Sequence, residues 1–353
     1  MILKFIQRSF ITVICLGVLA LGLLFLVSPK TTPPATDEAG IAEIRDIELN
    51  GVKQRILIRG TNQANPILLH LHGGPGGPDQ TLIQSSEKTV EDIFTVVYWD
   101  QRGAGASYSS DQDIEQLSLA QIVDDGIKLA ELLSKEFEQE KIFLQGHSWG
   151  TLVGLKMAAE RPERFKAFIS IGQLVHAIRA EVLSFDFALN AAKTANDQET
   201  VSALNRLGRP PYKTDQKWID SVMVQRSLMI PYELPGQAPL FTMFETYKSF
   251  VLYRGYSITD KLNSLNGFNT SLPKLWMEVI NTDLFEENPS LGVPIYFLQG
   301  KHDQHTVTSL VKEYFDYLDA PFKQYIEFEN SAHWPHMREF GKYHETMQQI
   351  STQ

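Results

Sequence analysis

Hydrophobic and polar residues alternate where the folded part of the chain is expected to begin. The alternation runs through residues 42–49 and again through residues 54–59, with Asn50 and Gly51 between the two segments. A period of two is typical of half-buried strands, and the pair Asn-Gly is a strong signal for a tight hairpin turn. The pattern therefore predicts an antiparallel hairpin.

The next apolar segments are uniform rather than alternating. Residues 66–71, 94–99 and 141–145 are mainly apolar, and a glycine-containing loop follows each of them. Such strands suit a parallel sheet that is covered by helices on both faces. Helical segments such as residues 117–137 alternate with these strands, which predicts an α/β fold with a mostly parallel central sheet.

This alternation stops after another strand-like segment at residues 165–171. Strand-like runs return only at residues 293–298 and 324–328. We interpret the stretch between as a helical cap inserted into one α/β domain, where it would cover a site at the carboxyl ends of the strands. The predicted parts are residues 41–172 and 291–353 for the core and residues 173–290 for the cap.

A long apolar segment precedes the domain. Residues 10–27 carry no charge and only Thr12 is polar, which is long enough for a helix to span a bilayer. Lys4 and Arg8 come before it, so the positive-inside rule predicts that the domain is extracytoplasmic. The length of the segment and the lack of a small-residue cleavage site after Val27 favour an uncleaved single-pass anchor. Cleavage of a signal peptide, followed by secretion, is the alternative. The predicted segments are a cytoplasmic N-terminus at 1–9, a transmembrane anchor at 10–27 and a proline-rich linker at 28–40.

The sequence Gly-His-Ser-Trp-Gly at residues 146–150 is the strongest candidate for chemistry. It lies between a predicted strand and a predicted helix at residues 151–160. On a tight turn between a strand and a helix, the serine side chain projects away from the backbone and is exposed. The flanking glycines have no side chains, so the strand and the helix can approach each other closely. We expect Ser148 to be a nucleophile.

A serine nucleophile needs a base, and the base needs an acid to orient it. Asp303 follows the strand predicted at residues 293–298, and His333 follows the strand predicted at residues 324–328, so serine, acid and histidine come in the order usual for this arrangement. His336 is the second choice of base. We expect the remaining candidates, His302, His305 and His344, to be solvated.

An oxyanion formed at this serine needs two backbone donors. The N–H of Trp149, directly after the nucleophile, is one candidate. Gly74, in the loop of residues 72–76 that follows the strand at 66–71, is the other, because the neighbouring Pro75 has no N–H; Gly73 is the fallback.

Composition narrows the class of protein. The 353 residues carry a formal charge of −10, which argues against a nucleic-acid partner. The one cysteine, Cys15, lies in the apolar N-terminal segment, so the domain has no disulfide, thiolate nucleophile or cysteine metal site. We predict no cofactor and no metal, and a small molecule or short peptide as substrate; the oligomeric state stays open.

Three sequence blocks resemble those of proline iminopeptidases and their relatives among the α/β-hydrolases. They are residues 72–76, 100–107 and 146–150. The resemblance implies an α/β-hydrolase fold, a catalytic triad of Ser148, Asp303 and His333, an oxyanion hole of Gly74 and Trp149, and release of an N-terminal residue. Asp100 and Arg102 would brace the loops behind the site, and we expect them to form a structural ion pair.

The same resemblance implies that a carboxylate in the cap holds the free amine of the substrate. The sequence does not single out one of the candidates. The candidate carboxylates are Glu181, Glu233, Glu245 and Glu278, and the neighbouring aromatic residues are Phe241, Phe244, Tyr247 and Phe250.

Three functions are compatible with these features. The first is a serine hydrolase that acts on small amides or peptides in the manner of a proline iminopeptidase. An esterase or lactonase with the same triad is the alternative, and a non-catalytic binding protein on the same fold is third. Epoxide hydrolase or dehalogenase chemistry is disfavoured, because it uses an aspartate where this chain has Ser148.

Overall fold

A computed structural model describes the chain from residue 31 onward with short gaps. The described ranges are residues 31–35, 38–212, 215–236 and 243–353, together with Gly17 and Gly22. Among these residues no helix has the length and apolarity needed to cross a bilayer. The predicted anchor at residues 10–27 lies, apart from the two glycines, outside the described residues.

Eight strands form one sheet. They are β1 (Ile41–Leu49), β2 (Val52–Gly60), β3 (Ile67–Leu71), β4 (Thr95–Trp99), β5 (Ile142–His147), β6 (Phe165–Ile171), β7 (Ile295–Gly300) and β8 (Lys323–Phe328). Their order across the sheet is β1-β2-β4-β3-β5-β6-β7-β8. β2 pairs antiparallel with β1 and β4, whereas all other neighbours are parallel. The predicted hairpin and the mostly parallel sheet are confirmed.

Twelve helices are described. They are α1 (Gln80–Ser86), α2 (Leu119–Glu136), α3 (Trp149–Glu160), α4 (Ala177–Thr194), α5 (Gln198–Leu207), α6 (Asp215–Glu233), α7 (Met243–Leu252), α8 (Ile258–Ile280), α9 (Leu284–Glu287), α10 (Thr308–Tyr317), α11 (Pro335–Arg338) and α12 (Phe340–Ser351). Local signals explain several of their boundaries. The Ser118 side chain accepts the N–H of Gln121 at the start of α2, and Ser257 with Asp260 forms a capping box at the start of α8.

The core lies on both faces of the sheet because successive strand residues point to opposite sides. Leu69 and Leu71 of β3 pack into one cluster with residues of α2, α3 and α10, such as Leu152. Leu68 of the same strand packs into the other cluster with residues of α1 and α12, such as Met347. This double burial explains why the central strands are apolar throughout.

The helices α4 to α9 lie in the sequence between β6 and β7. Their packing onto the core is visible at α8, where the Ser271 hydroxyl donates to the carbonyl oxygen of Gly103 at 2.7 Å. A Cβ atom at Gly267 would lie 2.6 Å from that same carbonyl oxygen, so glycine is required for the close approach. The helix α8 therefore sits against the loop that follows β4, at the carboxyl edge of the parallel strands.

Candidate active site

Ser148 occupies a strained turn between β5 and α3. Its backbone has φ 53° and ψ −118°, a conformation that residues with a side chain rarely adopt. A Cβ atom at Gly146 would collide with the carbonyl oxygen of Gly150, and one at Gly150 would collide with that of Leu71. The two glycines thus let β5, the turn and α3 pass close to one another, which leaves the Ser148 side chain partly exposed at the end of the sheet.

Asp303 lies in the loop after β7 and is fully buried. Its Oδ1 accepts the backbone N–H groups of His305 and Thr306 at 2.8 and 2.9 Å, and its Oδ2 accepts the Thr306 hydroxyl at 2.7 Å. Burial alone would raise the pKa of this carboxyl. The nearby His333 ring and the hydrogen bonds outweigh that effect and hold the pKa well below its usual range. Asp303 is therefore a carboxylate at neutral pH.

The His333 ring forms a hydrogen bond with this carboxylate. Its Nδ1 lies 2.9 Å from Asp303 Oδ2. Because a carboxylate only accepts, the proton of the neutral imidazole belongs on Nδ1, which leaves the lone pair on Nε2. A Cβ atom at Gly172 would lie 3.4 Å from the His333 ring, and the Ser148 N–H donates to Ile171 at 2.9 Å. The backbone of Ser148 and the ring of His333 therefore both lie near the carboxyl end of β6.

The two predicted oxyanion donors border the same cavity as Ser148. Gly74, Ser148 and Trp149 all line it. The loop after β3 lies against the serine, since a Cβ atom at Gly73 would be 3.4 Å from Ser148 Cβ. The Trp149 indole is buried and donates to Gln101 Oε1 at 2.9 Å, which fixes the first turn of α3. The N-terminal end of a helix also favours negative charge.

Helices between β6 and β7 form the opposite wall of this cavity. Most of the wall is apolar, but it contains one ion pair, in which Arg226 Nη2 lies 2.7 Å from Glu181 Oε1. The Arg226 guanidinium also lies 5.1 Å from the centroid of the Trp276 ring, a cation–π contact. The wall residues from these helices are Ala177, Ala180, Glu181, Arg226, Trp276 and Val279.

Comparison with known proteins identifies the family to which this fold belongs. Residues 66–340 match the family model for the alpha/beta hydrolase fold. A probable aminopeptidase of Bacillus subtilis (YbaC) is 32% identical over 86% of this chain and 94% of its own length. A proline iminopeptidase of Saccharolobus solfataricus is 24% identical over 84% of this chain and 87% of its own.

The chain belongs to the α/β-hydrolase family. Within it, the chain is proline iminopeptidase-like, and it is a hydrolase. Solved structures agree on the fold: a proline iminopeptidase of Mycobacterium smegmatis aligns with a TM-score of 0.61 at 17% identity, over 88% of this chain and 98% of that one. A proline iminopeptidase-related protein of Thermus thermophilus aligns over the same shares with a TM-score of 0.59.

The surroundings of one histidine of this hydrolase contradict the prediction that it is solvated. His305 is not solvated: its ring stacks on that of His333 with centroids 4.7 Å apart and planes inclined by 18°. Its Nε2 lies 3.8 Å from Glu233 Oε2. Burial raises the pKa of Glu233 to about 8, with a further contribution from Asp303, and burial lowers the pKa of His305 well below its usual value. Both groups are therefore mainly neutral at pH 7.

The prediction that Asp100 and Arg102 form an ion pair is also wrong, because each side chain binds other partners. Asp100 is buried and accepts from Gln80 Nε2 and the Tyr256 hydroxyl, both at 2.6 Å. Arg102 binds both carboxylate oxygens of Asp125, at 2.7 and 2.9 Å. Asp100 therefore contacts the segment between α7 and α8 through Tyr256, whereas Arg102 contacts α2 through Asp125.

The four candidate glutamates of the cap differ in their position relative to the cavity. Glu181 lines the cavity, and Glu233 lies behind it against His305. Glu278 instead accepts the backbone N–H of Leu119 at the start of α2, at 3.0 and 3.1 Å. Glu245 is exposed on α7 and borders a different groove. Of the aromatic candidates, Phe241 lies outside the described residues, Phe244 and Tyr247 are exposed, and Phe250 is half-buried.

Sequence reasoning missed the contribution of His147. Its Nε2 lies 2.9 Å from the carbonyl oxygen of His333, so the ring donates to the loop that carries His333. Its ring centroid is 5.0 Å from that of His336, the second choice of base, which is buried and does not border the cavity. The signal for this role is the imidazole placed directly before Ser148. Across the described ranges, no cluster of three or more possible metal ligands is found.

Proposed function

We propose that this protein is a serine hydrolase that releases the N-terminal residue from short peptides or small amides. Ser148 would be the nucleophile, His333 the base and Asp303 the acid that orients it. The observation that carries the proposal is the 2.9 Å contact between His333 Nδ1 and buried Asp303, at the strand ends that also hold Ser148.

In the proposed reaction, His333 Nε2 takes the proton of the Ser148 hydroxyl while Oγ attacks the substrate carbonyl carbon. The N–H groups of Trp149 and Gly74 donate to the oxyanion that forms. His333 then gives its proton to the leaving amine, which departs as the C–N bond breaks and an ester on Ser148 remains. Water, deprotonated by His333, attacks that ester, and the acid product leaves as Ser148 regains its proton.

The segment from residue 173 to 290 would act as the cap that selects the substrate. Of the four candidate carboxylates, Glu181 alone borders the described cavity, so we assign it to the substrate ammonium group. The names of the relatives, an aminopeptidase and proline iminopeptidases, support an amine-bearing substrate.

The charge of the cavity favours a second candidate, an esterase or lactonase. Arg226 neutralises Glu181, and a pKa of about 8 keeps Glu233 mostly protonated at pH 7. A wall without net charge suits a neutral acyl group better than an ammonium group.

A matched pair of substrates separates the two candidates. The full chain is assayed with a prolyl arylamide and with its N-acetyl derivative, and Ser148→Ala and Ser109→Ala are the catalytic and surface variants. Loss of the acetylated substrate alone supports the aminopeptidase; faster turnover of the acetylated form, or of simple esters, supports the esterase. Activity that survives in Ser148→Ala would refute both. Absence of turnover and of fluorophosphonate labelling in the parent would favour a binding protein.

For localisation we propose that residues 10–27 anchor the domain on the extracytoplasmic side of a membrane. The uncharged length of the segment and the preceding Lys4 and Arg8 support this. Alkaline carbonate extraction with intact-mass measurement tests it. An uncleaved chain in the membrane pellet is expected, whereas a soluble chain lacking this segment would support secretion.

A further inference from the structure

Two consecutive helices expose an unusual amount of apolar surface. The exposed side chains on α7 are Phe244, Tyr247 and Leu252, and those on α8 are Leu262, Leu265 and Phe268. We call this set the α7–α8 face. Phe244 is 73% exposed and Tyr247 is 68% exposed. Single exposed apolar residues are ordinary, but a concentration of them indicates a surface that another body covers.

The spacing of most of these residues places them on one side of their helix. On α7, Phe244 and Tyr247 are three residues apart, and on α8 Leu262, Leu265 and Phe268 repeat the same step. Residues at this spacing are neighbours on the surface of a helix. Only residues 253–257 connect the two helices, so the end of α7 and the start of α8 lie at one place on the protein.

The N-terminal part of the chain is fastened at that same connection. The Thr31 N–H donates to the carbonyl oxygen of Arg254 at 3.1 Å. Arg59 Nη1 donates to Thr32 Oγ1 and to the carbonyl oxygen of Pro33, both at 2.7 Å. Residues 31–33 and Leu252 also border a common groove. The chain therefore enters the folded domain between α7 and α8.

The length of chain between this point and the apolar segment is very short. The apolar segment ends at Val27, and residues 28–30 alone separate it from Thr31. Four Cα–Cα steps span at most about 14 Å. An anchor formed by residues 10–27 thus requires the surface of the bilayer to lie within that distance of Thr31, beside the α7–α8 face.

We infer that the α7–α8 face docks on the lipid bilayer, with its side chains at the boundary between headgroups and acyl chains. The inference rests on the proposed anchor. Phe and Tyr suit this boundary, where one end of a side chain is apolar and the other is wet. Lys248 and Arg254, exposed beside the face, would meet lipid phosphates; Glu245 on the same helix offsets part of their charge.

Spin labels on the full chain test this docking. Cys15 is the one cysteine, so Cys15→Ser provides a background without thiols. Single labels are placed at Phe244→Cys and Leu265→Cys on the face, and at Tyr317→Cys, an exposed site on α10, as the matched control. Native Cys15 reports on the anchor itself. The vesicles contain phosphatidylcholine and phosphatidylglycerol, and collision with oxygen is compared with collision with a water-soluble nickel chelate.

The inference predicts a severalfold higher ratio of oxygen to nickel accessibility at positions 244 and 265 than at position 317. Face labels that behave like position 317, while Cys15 is in lipid, would overturn the docking and leave the anchor in place. A Cys15 label in water would refute the anchor and the docking with it. Dipolar broadening between face labels would identify a second copy of the chain as the occupant and would also overturn the inference.

Discussion

The two sides of the cavity are built in different ways. On the sheet side, Ser148, Asp303 and His333 each follow a strand directly, and short backbone and side-chain hydrogen bonds fix Asp303 from several directions. On the helical side, Glu181 and Arg226 come from α4 and α6 and depend on the packing of two helices. The sheet side is suited to fixed chemistry, whereas the helical side can change with less disturbance to the fold and is suited to selecting the substrate.

The most severe test of the sheet side is Asp303→Asn. The amide cannot hold the imidazole in the required tautomer or stabilise its cation, so kcat should fall by about 10³- to 10⁴-fold. Steady-state kinetics of the purified chain measure this, with the exposed Asp316→Asn as the control. A loss below tenfold in a folded variant would mean that Asp303 does not serve His333.

A second test removes the hydrogen bond from His147 to the His333 carbonyl oxygen. In His147→Ala the loop of His333 loses its tether, and kcat should fall by about 10- to 100-fold with little change in KM. His147→Gln keeps an N–H donor and should recover much of the loss. If the alanine and glutamine variants are equally impaired, His147 acts through packing alone.

On the helical side, Glu181→Ala leaves Arg226 without its partner. The Glu181 side chain is only 5% exposed, so we expect a loss of about 3 kcal/mol in the free energy of unfolding, measured with urea, and a larger effect on KM than on kcat.

The matched control for Glu181→Ala is Glu313→Ala. Glu313 pairs with Arg179 at 2.8 Å on the surface, where a pair contributes well under about 1 kcal/mol. Equal losses in the two variants would show that burial does not distinguish these ion pairs.

The last prediction concerns Glu233 and the pH dependence of stability. The folded-state pKa of about 8 lies above the ordinary value, so the unfolded chain loses this proton first and stability falls as pH rises between roughly 4.5 and 8. Glu233→Gln abolishes that fall. Its advantage in Tm should be absent near pH 4.5, grow with pH and level off above about pH 8. An advantage that is independent of pH would contradict the raised pKa.

The sheet side was largely predictable from the sequence, because its signals are local. Asn50 and Gly51 indicated the hairpin, and the apolar runs indicated the strands. Asp303 and His333 each come after a predicted strand in the sequence. Because the carboxyl ends of parallel strands share one edge of the sheet, this order placed both residues at the same edge as Ser148.

The helical side was much less predictable, because its contacts join residues far apart in the chain. No local pattern shows that Glu181 meets Arg226 or that Glu278 caps α2. The stacking of His305 on His333 depends on how two loops fold back at the strand ends, and a histidine in a polar loop sequence gives no sign of it.

The central claim is that Ser148 becomes the covalent nucleophile of this site. The most direct measurement is peptide mapping by mass spectrometry after reaction of the full chain with a fluorophosphonate. We expect stoichiometric modification on the peptide containing Ser148, no modification of Ser148→Ala, and strongly slowed modification of Asp303→Asn. A label on another residue, or equal labelling of the parent and Ser148→Ala, would contradict it.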